Sequence, residues 1–397
     1  MNNRTNQPLP VPMSSPDLSE AERQAVAEVM ATPRLSMGPK VDAFERAVAD
    51  YVGVKHAVAV NSGTAGLHLC VRAAGVVDRD LVLTTPFSFV ASANVILYER
   101  AIPVFVDVDP DTGNIDPEQV ERSLTDLTAG RTSGWLPRRG ADHPGPLRAM
   151  IPVDVFGQPA DYDRLLPLAR TNGLRTILDA CESLGARYDD RAAGTMGDAG
   201  VYAFYPNKQI TTAEGGLVVT DDDDWAQLVR ALRNQGRAPG DTWLDHTYLG
   251  YNYRLNELNA ALGLAQMGRL EALLAARQQV ADWYNQRLAG VSGVQPPAVA
   301  ETTSRTSWFV YVVRLEPACD RRQLTANLEQ AGVPTRPYFS PIHLQPYFVE
   351  RFGYQPGDFP VTEDLGRRSL ALPFSGVMTE AQVDRVVEEL RAALRKS

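Results

Sequence analysis

The chain has 397 residues, 44% hydrophobic and 22% charged, which suits a soluble globular protein with a sizeable core. A formal net charge of -9 gives no basic footprint for nucleic acid or an anionic membrane surface, and no run approaches the ~18 apolar residues of a membrane span. Three cysteines without CxxC spacing and five histidines without HxH or HxxxH spacing argue against a disulfide framework and a metal site, so a cytoplasmic location is expected.

Residues 1–12 read as an extended arm without a signal-peptide pattern. Ser19, followed by Glu22 three residues later, forms a capping box that opens the first helix. Met37-Gly38-Pro39 is a turn, and a helix through Phe44 and Tyr51 follows. Strands are then expected at His56–Val60, Leu81–Thr84, 102–106, 149–155 and 175–178, with helices between them, including 88–98 and 161–169. Short apolar strands alternating with helices predict an α/β sheet covered on both faces. Residues 125–148, rich in Gly, Pro and Arg, read as a surface insertion and a mobile loop.

Residues 201–205 and 217–220 read as two strands, with Lys208 in the polar connection between them. The acidic run Asp221 to Asp224 supplies N-terminal charge to a helix over 225–234. Residues 255–289 read as a long helical segment with Leu255, Leu258, Leu262, Leu264 and Leu270 on its apolar side. The last third changes character: strand 308–315, helix 321–331, strand 333–338 and a terminal helix 379–396 make a smaller α+β unit. The expected division is an arm and first helix (1–36), a large domain (37–265), and a linking helix with a small domain (266–397).

Three features carry chemistry besides Lys208. Asn61-Ser62-Gly63-Thr64-Ala65-Gly66 follows a strand and opens a helix, where free backbone N–H groups of Gly63 and Thr64 suit a phosphate; a plain N-cap is the alternative. Asp179 ends an apolar strand, the edge where ligands collect in open α/β sheets, and a carboxylate there can hold a pyridinium nitrogen; capping a following helix is the alternative. An aromatic in Pro86-Phe87-Ser88-Phe89 could stack on a planar ring or belong to the core. Together with a lysine between two strands, these are the parts of a pyridoxal phosphate site.

NSGTAGLHL, TTPFSFVASANVI, PVFVDVDPDTGNID, PVDVFGQPADYD, LDACES, YAFYPNKQITTAEGG, LGYNYRLNELNAALGLAQ and PIHLQPYF together resemble the DegT/DnrJ/StrS sugar aminotransferases, fold type I pyridoxal phosphate enzymes. The resemblance runs from about Met37 to the C-terminus. It implies a mixed, mostly parallel seven-stranded sheet covered by helices, with a smaller C-terminal α+β domain. It further implies that Lys208 carries the cofactor as a Schiff base and shuttles the proton, and that Asp179 pairs with the pyridine nitrogen. By the same resemblance Phe89 stacks on the ring, Gly63 and Thr64 bind the phosphate, and Glu182 lies beside the cofactor. Asn252 reaches the phosphate of a neighbouring subunit, giving a homodimer with shared active sites. Arg254, His343 and Tyr338 meet the substrate.

Two positions depart from the family. Ala203 stands where many relatives carry a phosphate-binding Ser, leaving Ser183 or a water to substitute, and Asp154 stands where many carry His. The implied reaction moves an amino group from L-glutamate to a nucleotide-linked keto sugar, with C4 of dTDP-4-keto-6-deoxyglucose favoured over a C3-keto isomer or a cyclitol ketone. A non-catalytic, DNA-binding regulator is disfavoured by the acidic charge and the short arm before Met37.

Overall fold

The computed structural model describes residues 9–396. Most of the expected N-terminal arm therefore lies outside the described residues. The central sheet is built from β1 (His56–Val60), β2 (Leu81–Thr84), β3 (Ile102–Phe105), β4 (Leu147–Ile151) and β5 (Arg175–Asp179). After a short hairpin of β6 (Arg187–Tyr188) and β7 (Arg191–Ala192), it is completed by β8 (Ala199–Ala203) and β9 (Gly216–Thr220). The strand order is β1-β9-β8-β5-β4-β2-β3. Only β9 runs against its neighbours; the other pairs are parallel.

Side chains alternate between the two faces of a strand, and both faces of this sheet are covered. Val58, Val60 and Val218 pack with Leu67 and Val71 of the helix Gly63–Ala73. Ala57, Ala59, Leu217 and Val219 pack with Val41, Phe44 and Val48 of the helix Pro39–Val52. Burial on both sides is why these strands read as unbroken apolar runs. The parallel arrangement places Thr84, Ile151, Asp179 and Ala203 at one edge, so the turns that follow them share a crevice.

The last third builds a second sheet of β10 (Val294–Gln295), β12 (Tyr311–Leu315) and β13 (Ser369–Leu372), antiparallel and packed on the helices Arg321–Gln330 and Glu380–Leu394. The intervening β11 (Thr303–Arg305) pairs instead with β6, tying this third of the chain back to the hairpin between β5 and β8.

Several expectations change. The strand expected over 333–338 does not form; Pro334 and Pro337 remove ladder donors there, and a single bridge, Arg336 to Ala371, remains. The expected long helix is two helices, Glu257–Met267 and Leu270–Leu288, separated at Gly268 and Arg269. The first buries Glu257, Ala260, Ala261, Gly263 and Gln266, while Leu258, Leu262 and Leu264 stay half-buried. Glu257 faces inward because its carboxylate accepts the backbone N–H groups of Gly38, Lys40 and Val41 at 2.9–3.0 Å, capping the helix Pro39–Val52.

The segment read as a mobile insertion is held down. Arg138 pairs with both carboxylate oxygens of Asp358 at 2.5 and 2.7 Å, and Arg139 N–H donates to the Phe352 carbonyl. The acidic run does act at a helix start: Asp222 caps Asp223–Arg233 and accepts from the N–H groups of Asp224 and Trp225. The Ser19–Glu22 capping box is present as expected.

Candidate active site

The turns after β1, β5 and β8 meet at the C-terminal edge of the sheet. Ser62 caps the helix Gly63–Ala73 by accepting from the Ala65 N–H. Gly63 and Thr64 occupy its first turn, where backbone N–H groups have no partner within the helix. A Cβ at Gly216 would stand 2.4 Å from Ser62 C and O and 2.6 Å from Gly63 N, so glycine there lets β9 approach this turn. A Cβ at Gly63 would stand 2.7 Å from the Ala203 Cβ, which places Ala203 beside the same turn.

Asp179 ends β5 and is buried; its Oδ1 accepts the Cys181 N–H at 3.3 Å. Burial raises its pKa, while the Cys181 hydrogen bonds and the Lys208 charge oppose the rise. A turn, not a helix, follows it, so the capping alternative does not apply.

Lys208 lies in the turn after β8, its N–H donating to the Tyr205 carbonyl. Its Nζ is 3.4 Å from Glu182 Oε1 and 3.7 Å from the centroid of the Phe309 ring, a cation–π contact. Glu182 is itself buried, which raises its pKa against the pull of Lys208. Its Oε2 accepts the Phe156 N–H at 2.9 Å, and its backbone carbonyl accepts from Gln209 Nε2 at 2.6 Å. Phe156 holds a left-handed backbone, φ 59°, unusual for a phenylalanine and common where a site fixes a strained residue. Tyr338 stacks near-parallel to Phe309 and Phe156, and the Glu182 charge helps raise its phenol pKa after burial.

The structure therefore gathers Asp179, Glu182, Lys208 and Tyr338, and sets Gly63, Thr64 and Ala203 alongside. Phe89 stands 62% exposed beyond β2 at the same edge. Asn252 is exposed and its carbonyl accepts from Asn61 Nδ2 at 3.4 Å, so its loop runs past the Gly63 turn. Arg254 donates to Asn234 Oδ1 at 3.1 Å, and its backbone bridges Val60.

Two expected roles do not match the geometry. His343 is fully buried, its Nε2 3.1 Å from Glu363 Oε1 and its ring against Phe359 and Tyr354, so it supports the fold and faces no open pocket. Ser183 is fully buried too, and its hydroxyl donates to Asp154 Oδ2 at 2.6 Å; that commitment replaces the expected phosphate contact. Asp154, the second departure, also accepts from the Tyr162 hydroxyl and from the Ala160 N–H at 3.1 Å. Burial pushes its carboxyl up to about 7. Phe309 and Gln209 escaped the sequence reading because their contacts with Lys208 and Glu182 come from segments far apart in the chain. Among the described residues no cluster of His, Cys, Asp or Glu could hold a metal, and no helix is long and apolar enough to cross a membrane.

A model of the DegT/DnrJ/EryC1/StrS aminotransferase family matches residues 16–391. GDP-perosamine synthase of Caulobacter vibrioides is 38% identical over 388 residues, spanning 97% of this chain and 98% of that one. Among solved structures, DesV of S. venezuelae is similar with a TM-score of 0.85 and 31% identity, covering 97% and 98% of the two chains. A putative sugar aminotransferase of Streptococcus pneumoniae in its PLP form has a TM-score of 0.87 and 25% identity, covering 98% of each.

Proposed function

The chain belongs to the DegT/DnrJ/EryC1/StrS family of pyridoxal phosphate-dependent sugar aminotransferases, and we propose that it aminates C4 of a nucleotide-linked 4-keto-6-deoxyhexose with L-glutamate as donor. The favoured acceptor is dTDP-4-keto-6-deoxyglucose, giving dTDP-4-amino-4,6-dideoxyglucose. One observation carries the catalytic reading: a single lysine amine, Lys208 Nζ, lies 3.4 Å from a buried carboxylate at the sheet edge that also holds Asp179. Likeness to GDP-perosamine synthase favours a GDP-linked acceptor as the second reading.

The residues fit the cofactor. The Gly63 and Thr64 N–H groups at a helix start suit its phosphate, helped by the helix dipole. Buried Asp179 suits the ring nitrogen, because a carboxylate desolvated by protein gains most from a cationic partner. Ala203, beside the phosphate turn, offers no hydroxyl, so the backbone carries more of the phosphate grip. When bound, the cofactor accepts the donor's amino group and withdraws electrons from the carbon that loses its proton.

Lys208 Nζ then serves as the base and acid that removes and returns the proton at that carbon. Glu182, held by Phe156 N–H and Gln209, orients the amine through Oε1. The Phe309 ring lies against the amine, with Tyr338 and Phe156 stacked in turn behind it, and this aromatic surface would limit water there.

The working unit is a homodimer with shared sites. Exposed Trp243, Leu244 and Leu249 precede Asn252, and a second copy would cover them while Asn252 reaches its phosphate. Residues 37–265 form the cofactor-holding domain and 266–397 the linking helix and small domain. The enzyme works in the cytoplasm, in keeping with a chain of only three cysteines and no CxxC spacing.

The deciding assay supplies purified enzyme with glutamate and a panel of dTDP- and GDP-linked 4-keto and 3-keto sugars, follows 2-oxoglutarate, and locates the new amine by NMR. Turnover of the 4-keto acceptors with nitrogen at C4 is expected; turnover of 3-keto sugars alone would overturn the regiochemistry. Mixed dimers of Lys208→Ala and Asn252→Ala subunits should regain activity. Absence of complementation in confirmed mixed dimers would remove the shared-site reading.

A further inference from the structure

Arg277 lies in the helix Leu270–Leu288 and is only 4% exposed. Among the described residues its guanidinium has no carboxylate partner within ion-pair distance. A buried cation without a counter-charge is costly, and here burial pushes its pKa down to about 10. Its hydrogen bonds go to backbone carbonyls from two distant segments. Nη1 donates to Trp308 O at 3.1 Å and Phe309 O at 3.3 Å. Nη2 donates to Asn207 O at 3.2 Å and Lys208 O at 2.5 Å.

Those two segments deliver the two groups that meet at the reactive amine, Lys208 and the Phe309 ring 3.7 Å from its Nζ. A planar fork with five donors can hold both at fixed separation, which a lysine ammonium on a flexible stem cannot. We propose that Arg277 is a positioning residue of the transamination: its guanidinium clamps the Lys208 and Phe309 carbonyls together and so fixes the Lys208 amine between the Phe309 ring and Glu182. The cost of burying its charge is offset by placement of the amine. The inference rests on the reading of Lys208 as the cofactor-bearing lysine.

The test compares wild type with Arg277→Lys, which keeps the charge but loses the fork, and Arg277→Met, which keeps the bulk alone. Borohydride reduction and peptide mass first locate the cofactor on wild type. A label elsewhere than Lys208 overturns the active-site reading and this inference with it. With the label on Lys208, four quantities are read for each variant: labelling stoichiometry, circular dichroism of the bound cofactor, kcat and KM for glutamate, and thermal midpoint. Arg277→Lys is expected to stay folded and labelled, with KM little changed. Its kcat should fall on the order of a hundredfold, the scale of a misplacement of about 1 Å, and the cofactor circular dichroism should weaken. Arg277→Met should show the same pattern or a stronger one. Wild-type kcat and circular dichroism in Arg277→Lys would overturn the proposal. So would a kcat loss that disappears on cooling below the variant's lowered midpoint with circular dichroism unchanged, since that is a purely structural role.

Discussion

Replacing Asp154 by Asn should make the protein more stable at neutral and alkaline pH and leave it unchanged in acid. The carboxyl is fully buried, and its carboxylate form is penalised by lost hydration more than the Ser183, Tyr162 and Ala160 hydrogen bonds repay. Its pKa goes from 3.8 to about 7 on folding, about three units. Between those values the folded chain holds a proton that the unfolded chain has released. Stability therefore falls as pH rises from about 4 to about 7 and stays low above that. At about 1.4 kcal/mol per unit, the penalty is on the order of 4 kcal/mol.

Asparagine avoids it without losing partners. Its Oδ1 can accept from Tyr162 and Ala160, and its Nδ2 can donate to the Ser183 hydroxyl, which turns to the Ala180 carbonyl at 3.3 Å. The assay is urea unfolding of both proteins from pH 4.5 to 8.5. The midpoints should lie closest together at the acid end and separate progressively to a plateau above pH 7, with the variant higher. Parallel curves, or a variant weaker throughout, would refute the reasoning that the Asp154 charge is the cost.

Asp179→Asn should keep part of the cofactor but lose activity on the order of a hundredfold or more, because a neutral amide cannot hold a positive ring nitrogen; near-normal turnover would show that another carboxylate does this work. Gly216→Ala pushes a Cβ to 2.4 Å from Ser62. Urea unfolding should show a loss of about 1–3 kcal/mol, with faster loss of cofactor on dialysis; an unperturbed protein would mean the turn is not held by β9. Arg138→Ala should speed proteolysis within residues 129–146 while leaving activity intact, since its half-exposed pair with Asp358 anchors that segment alone; unchanged cleavage would show the anchor lies elsewhere.

The parts of this molecule that were legible in sequence are those written locally. His56–Val60 and Leu81–Thr84 stand where their apolar runs placed them, because strands buried on both faces leave no polar interruption. Asp179 and Lys208 were legible as strand-end and inter-strand residues. The reading failed where distant segments decide. Leu258, Leu262 and Leu264 looked like the buried side of a helix, yet the inward side carries Glu257 and Gln266, which bond to the turn at Gly38 and to Glu22. His343 resembled a pocket residue, but Glu363 of the helix Pro360–Arg368 and its cap residue Phe359 enclose it. Ser183 resembled a phosphate donor until the structure set Asp154 against it. Arg277 gave no local signal, since its four acceptors are backbone carbonyls.

We propose Lys208 as the amine through which this enzyme works. The chain has four lysines, Lys40, Lys55, Lys208 and Lys396, so the claim can be read in one experiment. The purified enzyme, loaded with pyridoxal phosphate, is reduced with borohydride and digested, and the modified peptide is located by mass. One label per subunit on Lys208, absent when the enzyme is first converted by glutamate, is the predicted result. A label on Lys40, Lys55 or Lys396, or none that glutamate removes, would contradict the account.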